Sequence, residues 1–337
     1  NLTLVNGLGY NGGGIQAYFA DITLMSCVFV GNNATFGGAV AALNSTVRVL
    51  GDAVFKDNFA TNYGGVIYME SNTSITVEKI AFWEGNEAGI AGGAILAYQA
   101  SVTIDGATFV GNNATWGGAI FAYESSVHVF GGTQFTVNTA AYGGGICAVH
   151  NTSVVAGSDS VWDGNLAADR GGAIYIDEGR LSATGCTFVG NSASCGGAIA
   201  SIGMSTMHLM GDTVFTDNSA KAGGGLFSWW SIANLEGQAT FTNNTALTGG
   251  GMHLMGDDTL RHYGDIGMSG NTASSGGAIY GESAEEILIA NTKFISNVAT
   301  ASGGAVTLLS SGTQDHFSAI NNSVFRRNTA GDAGGAV

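Results

Sequence analysis

The stretch Phe188-Val-Gly-Asn191-Ser-Ala-Ser-Cys195-Gly-Gly-Ala-Ile199 decides the fold, because its parts return along the whole chain of 337 residues. A Gly-Gly pair begins at Gly12, Gly37, Gly64, Gly92, Gly117, Gly143, Gly171, Gly196, Gly223, Gly249, Gly276, Gly303 and Gly334, mostly 25 to 28 residues apart, with a last step of 31. Five or six residues before each pair, from the second onward, stands Asn32, Asn58, Asn86, Asn112, Asn138, Asn165, Asn191, Asn218, Asn244, Asn271, Asn297 or Asn328. All twelve have Ala two residues later, and eleven have an aromatic residue three before, Met268 being the exception. Self-similarity at such a period marks an architecture of stacked repeats.

Each repeat contains three brief runs of alternating character separated by turn residues, for example 93–97, 101–104 and 107–110. Alternation of period two means strands, and about 27 residues are too few for a propeller blade. The pattern predicts an all-β fold: a single-stranded, right-handed parallel β-helix of about twelve coils, three short strands per coil. Residues 1–337 then form one continuous domain, a segment of a larger or processed protein.

A residue needed in every coil serves the coil. The aromatic column is expected to point inward and stack ring on ring, supplying apolar burial to a thin core. The asparagines are expected to form an internal ladder, since an amide both donates and accepts. An unpaired buried one would cost about 1–3 kcal/mol. The glycine pair suits a corner that needs positive φ or a close backbone approach. Three residues after its first glycine comes Ile, Val, Leu or Met in every repeat, an inward position.

The Phe188–Ile199 segment resembles the GGA(I/L/V) and FxxN repeats of the chlamydial polymorphic outer-membrane proteins. Cys27 and Cys186, two residues before a Phe, fit the same pattern. Similar repeats occur in large extracellular proteins of algae and protists. The resemblance covers essentially the whole chain. It implies a surface-exposed or secreted β-helical passenger with a role in adhesion.

If the third residue after the first glycine is buried, the fourth and sixth face outward. Eighteen of those 24 positions are apolar or aromatic, among them Tyr68, Leu96, Tyr98, Phe121, Tyr123, Tyr175, Ile202, Phe227, Trp229, Met255 and Tyr280. Such a stripe reads as a contact surface for other protein chains or further copies of this one. Strand propensity of aromatic residues and sugar stacking are the competing explanations. Bare ends of a β-helix would add coil-on-coil association.

The net charge of −15, with only 10 Lys and Arg, argues against nucleic acid or an anionic membrane as partner. No apolar run is long enough for a membrane span or a signal sequence, so direct membrane insertion is not expected. Cys186 and Cys195 flank one turn and either bridge or remain buried thiols. Sequons begin at Asn1, Asn33, Asn44, Asn72, Asn113, Asn151, Asn243 and Asn321, compatible with N-linked glycans in an extracellular or cell-surface setting.

Polysaccharide cleavage on a β-helix would need paired carboxylates with basic partners. Asp257, Asp258, His262 and Asp265 come nearest, without the Gly-His-Gly or Arg-x-Lys segments of polygalacturonase-like enzymes. The glycines lack the spacing of a calcium nonapeptide or a phosphate loop. No catalytic residue, metal or cofactor is therefore assigned, and the expected function is that of a non-catalytic extracellular rod building a surface assembly or filament. An adhesin passenger is the alternative, and a polysaccharide-active enzyme a distant one.

Overall fold

The computed structural model describes residues 2–78, 80–256, 258–262, 264–310 and 317–337, without the side chain of Phe317. Every regular element among them is a strand, and parallel strands stack as a β-solenoid of about twelve turns. The chain divides into two compact units, Asn1–Ala168 with Ala173–Tyr175, and Asp169–Gly172 with Ile176–Val337.

In the first unit one coil comprises the glycine-led strand Ile95–Tyr98, the middle strand Ser101–Asp105 and the aromatic strand Thr108–Val110. Each runs parallel to the strand one repeat later, with Ile95 opposite Ile120, Val102 opposite Val127 and Phe109 opposite Phe135. One repeat is thus one circuit, and like side chains lie a strand spacing apart, about 4.8 Å. The same order holds in the second unit, where Ile199–Ile202, Thr206–Met210 and Val214–Thr216 pair with Leu226–Trp229, Ile232–Leu235 and Thr240–Thr242.

The inward positions are filled as the columns require. In the first unit Phe29, Phe55, Trp83, Phe109, Phe135 and Trp162 are fully buried. Their rings stack at centroid separations of 5.2, 4.1, 5.3, 5.0 and 5.4 Å, with planes within 21° of parallel. In the second unit Phe188, Phe215 and Phe241 stack at 4.9 and 4.4 Å. Each ring buries about 150–250 Å², a gross gain of roughly 4–6 kcal/mol per coil.

The asparagine ladder runs beside this stack. Asn112 Nδ2 donates to Asn138 Oδ1 at 2.9 Å and to the Trp83 carbonyl at 2.9 Å, and the Asn112 backbone N–H reaches the same Oδ1 at 3.0 Å. Its own Oδ1 accepts from the Asn86 side chain at 2.9 Å and the Asn86 backbone N–H at 3.1 Å. Every polar atom of the amide is thereby paired at zero exposure, which is why only asparagine serves here. The second unit repeats the arrangement from Asn191 through Asn218, Asn244, Asn271 and Asn297 to Asn328.

The glycine pair meets both demands of its corner. Gly117 has φ +63°, and a Cβ there would strike the carbonyl of Ile120. On Gly118 a Cβ would strike the Gly144 carbonyl of the next coil, so backbone proximity rather than dihedral angle excludes a side chain.

The proposed bridge between Cys186 and Cys195 is not made: all four cysteines are thiols. Cys186 is buried beside the aromatic strand, its thiol directed at the Thr184 carbonyl 3.6 Å away. Cys195 is half-buried in the corner before the glycine pair, bridged through backbone to Ala222. Cys186 precedes the strand Thr187–Val189 and Cys195 stands in the next corner, so nearness along the chain does not make them partners.

Candidate functional site

The glycine-led strands position the outward stripe, and its burial departs from expectation. In the first unit Leu96 and Tyr175 are buried, Tyr68, Phe121 and Tyr123 are half-buried, and only Tyr98 is exposed, at 38%. In the second unit Ile202 and Phe227 are buried, Trp229 and Tyr280 half-buried, and Met255 exposed at 38%. The stripe is therefore not a bare face.

Its cover comes from the chain itself. The residue just before a glycine pair lies on a short corner strand or in an isolated bridge to the next coil, and in the first unit it is often a large ring. Phe36 and Tyr63 stack at 5.8 Å and pack on Tyr68 at 5.3 and 6.5 Å, while Tyr142 lies 5.4 Å from Tyr175. In the second unit the same corner carries Thr248, whose hydroxyl lies 2.8 Å from Nδ1 of His253, and Arg170, whose guanidinium stands 5.7 Å over the Trp229 ring. What stays exposed is the end of the strand and the turn after it: Tyr98 stacked on Tyr123 at 4.9 Å in the first unit, and Met204 (82%), Trp230 (54%) and Met255 in the second.

That turn holds an element that sequence reasoning missed. Asn44, Asn72, Gln99, Glu124 and Asn151 all have φ between 45 and 55°. The next residue then sends a hydroxyl to the coil before: Ser45 Oγ accepts from the Ala20 N–H at 3.1 Å, Ser125 Oγ from Ala100 at 3.0 Å, Thr152 Oγ1 from Ser125 at 3.2 Å. In the second unit Ser205 Oγ accepts from Gly179 at 3.1 Å. A ladder of hydroxyls thus pins this corner. Its signal in the sequence was the recurring Ser or Thr, interrupted by Ala100 and Gly179.

The same geometry accounts for three sequons. At Asn44, Asn72 and Asn151 the asparagine tolerates positive φ, the middle residue is the ladder hydroxyl, and the last begins the middle strand. Of the described sequon asparagines, Asn33, Asn72, Asn113, Asn151, Asn243 and Asn321 are exposed and Asn44 is half-buried.

The acidic and histidine residues weighed for catalysis do not converge on a cleft; Asp257 lies outside the described residues. Asp258 is fully buried and accepts from the Ser231 N–H at 2.6 Å and the Met255 N–H at 3.1 Å, in the place other coils give to the ladder hydroxyl. His262 faces the core at zero exposure, and Asp265 is exposed. Because the Thr292 hydroxyl donates to the Ala290 carbonyl at 3.1 Å, His262 Nδ1 donates to that hydroxyl at 3.0 Å. Nε2 of His262 and of His253 finds no partner. Burial lowers the pKa of His262 to about 3 and of His253 to about 4. Both rings are neutral at pH 7 and serve packing. Among the described residues no three His, Cys, Asp or Glu are placed to hold a metal ion, and no helix is long and apolar enough to cross a membrane.

Comparison with known families bears on the repeat. Residues 52–70 and 268–282 match the Chlamydia polymorphic membrane protein repeat. The repeat is present in both units. The first match holds Phe55, Asn58 and the Gly64 pair, and the second holds Met268, Asn271 and the Gly276 pair, so the missing ring at Met268 does not hide it. No curated protein and no solved structure matches the chain significantly.

Proposed function

We propose that the chain is a non-catalytic structural segment displayed at a cell surface, where it packs sideways against other chains through the exposed ends of its glycine-led strands. The observation that carries this reading is the division of labour among its residues. The repeated asparagines, rings, glycines and hydroxyls are consumed by the coil, and within each unit the turn after the glycine-led strand leaves large apolar groups in solvent, Tyr18, Phe19 and Tyr98 in the first and Met204, Trp230 and Met255 in the second, while the other exposed apolar residues, such as Leu8, Ile80 and Leu247, lie elsewhere on the coil. Exposed aromatic and methionine side chains with few basic residues are the composition of contact surfaces. The presence of the Chlamydia polymorphic membrane protein repeat supports the surface setting.

Light scattering and electron microscopy of the native protein test the proposal. It predicts laterally associated particles that Tyr98→Ser with Met255→Ser returns to single chains. Single chains at all concentrations would defeat it. The same repeat supports a second reading, an adhesin passenger whose loops meet a ligand. That reading predicts saturable binding to cells or matrix by material that stays monomeric.

A further inference from the structure

Within the first unit a trough of about 520 Å³ runs along the corner between the glycine-led and middle strands, lined by residues of three successive coils. Asn72, Thr73 and Ser74 come from the first, Gln99, Ala100 and Ser101 from the second, and Glu124, Ser125 and Ser126 from the third. First to third coil is about 10 Å at the strand spacing, and the trough is a groove open to solvent, so a ligand would lie along it rather than be enclosed.

Its polar groups are paired across coils in a way the fold does not need. Gln99 Nε2 donates to Glu124 Oε2 at 2.7 Å, and Ser126 Oγ to Ser101 Oγ at 3.2 Å, while the fold's own requirement at this corner is met by the buried hydroxyls of Thr73 and Ser125. Those contacts leave a row of carboxylate, carboxamide and hydroxyl oxygens along the wall. No Lys or Arg lines the trough, and Glu124 brings a negative charge, so anionic ligands are disfavoured. Tyr98 and Tyr123, stacked with planes 7° apart, directly precede Gln99 and Glu124 in the chain and do not line the trough. A row of carboxylate, amide and hydroxyl oxygens suits the successive hydroxyl donors of a sugar.

We propose that this trough binds a short neutral oligosaccharide, its hydroxyls donating to Glu124 and Gln99 and exchanging hydrogen bonds with Ser101 and Ser126. The saccharide comes from one of two sources, a glycan presented by another molecule or a glycan carried on this chain's own Asn72, which opens the trough as the first residue of a sequon. The groups that bond the saccharide are not the packing residues, although Tyr98 directly precedes Gln99, so binding is also read in Tyr98→Ser, Met255→Ser protein and stands there if lateral association fails.

The test uses the full chain made without glycans in a bacterial host, exposed to an array of neutral hexose and N-acetylhexosamine oligosaccharides and then titrated with the best binder. The proposal predicts saturable binding that Gln99→Gly with Glu124→Gly weakens at least tenfold. Glycine retains the positive φ of both turn residues, and an unchanged melting temperature shows that the coil persists. Ser126→Val, which fills the trough from a strand position, must weaken binding as well. No bound saccharide, or equal affinity in folded variants, overturns the proposal. Protein made in a glycosylating host separates the sources. If the Asn72 glycan occupies the trough, Asn72→Gln binds the array ligand and wild type does not; if the ligand is foreign, both bind it.

Discussion

Replacing Asn112 by alanine perturbs the ladder at one rung and leaves the rest of the coil in place. The Asn86 side-chain and backbone N–H groups lose the Oδ1 they now reach at 2.9 and 3.1 Å, and the Trp83 carbonyl and Asn138 Oδ1 each lose one donor. Both stranded donors are buried, and each costs about 1–3 kcal/mol. The weakened acceptors cost less, because Asn138 Oδ1 keeps the backbone N–H of residue 112. We expect a loss of about 4 kcal/mol, less where water enters the space of the missing amide. In a solenoid the damage spreads to nearest neighbours first. Amide hydrogen exchange should therefore show lost protection at residue 86, whose N–H loses its acceptor, before any change at residue 32. A loss below about 1 kcal/mol at Asn112 would refute the assignment of stability to buried amide pairing.

Three further outcomes follow from the same structure. Gly118→Ala places a Cβ against the Gly144 carbonyl and should cost about 3 kcal/mol in chemical denaturation, whereas Gly111→Ala meets nothing and bears only the cost of its φ of +61°, about 1 kcal/mol. Acid should weaken the second unit. The folded pKa values of His253 and His262 lie below the unfolded 6.5, so the unfolded chain binds protons first and stability falls as pH drops through 6.5. At pH 5 the two together cost about 4 kcal/mol, an effect that His262→Leu should halve. Alkylation under native conditions should modify Cys195 and spare Cys27, Cys147 and Cys186 until the chain unfolds, which mass spectrometry reads directly.

The columns were legible in the sequence because a requirement repeated in every coil leaves a repeated residue. The three strands read at 93–97, 101–104 and 107–110 lie within two residues of Ile95–Tyr98, Ser101–Asp105 and Thr108–Val110. The stripe was legible only as a direction. Alternation told that Tyr68 and Tyr175 point outward, but their burial depends on Tyr63 and Tyr142, which lie on a corner strand that alternation does not reveal. The hydroxyl ladder is hidden in the sequence because a corner accepts Ser, Thr or the carboxylate of Asp258 alike, so no single residue recurs. The trough is hidden because Asn72, Gln99 and Glu124 share no residue type and only the coil register sets them side by side.

The central claim is that one repeat is one circuit, and nitroxide labels at Glu87→Cys and Asn113→Cys test it most directly. Both residues are exposed, and the backbone pairs them across neighbouring coils of the first unit. With Cys195→Ser removing the half-buried native thiol, the spectrum should show strong dipolar broadening from backbones about 4.8 Å apart. A doubly labelled chain whose spectrum equals the sum of the two singly labelled ones would contradict the coil, and with it the ladder, the outward corner and the trough.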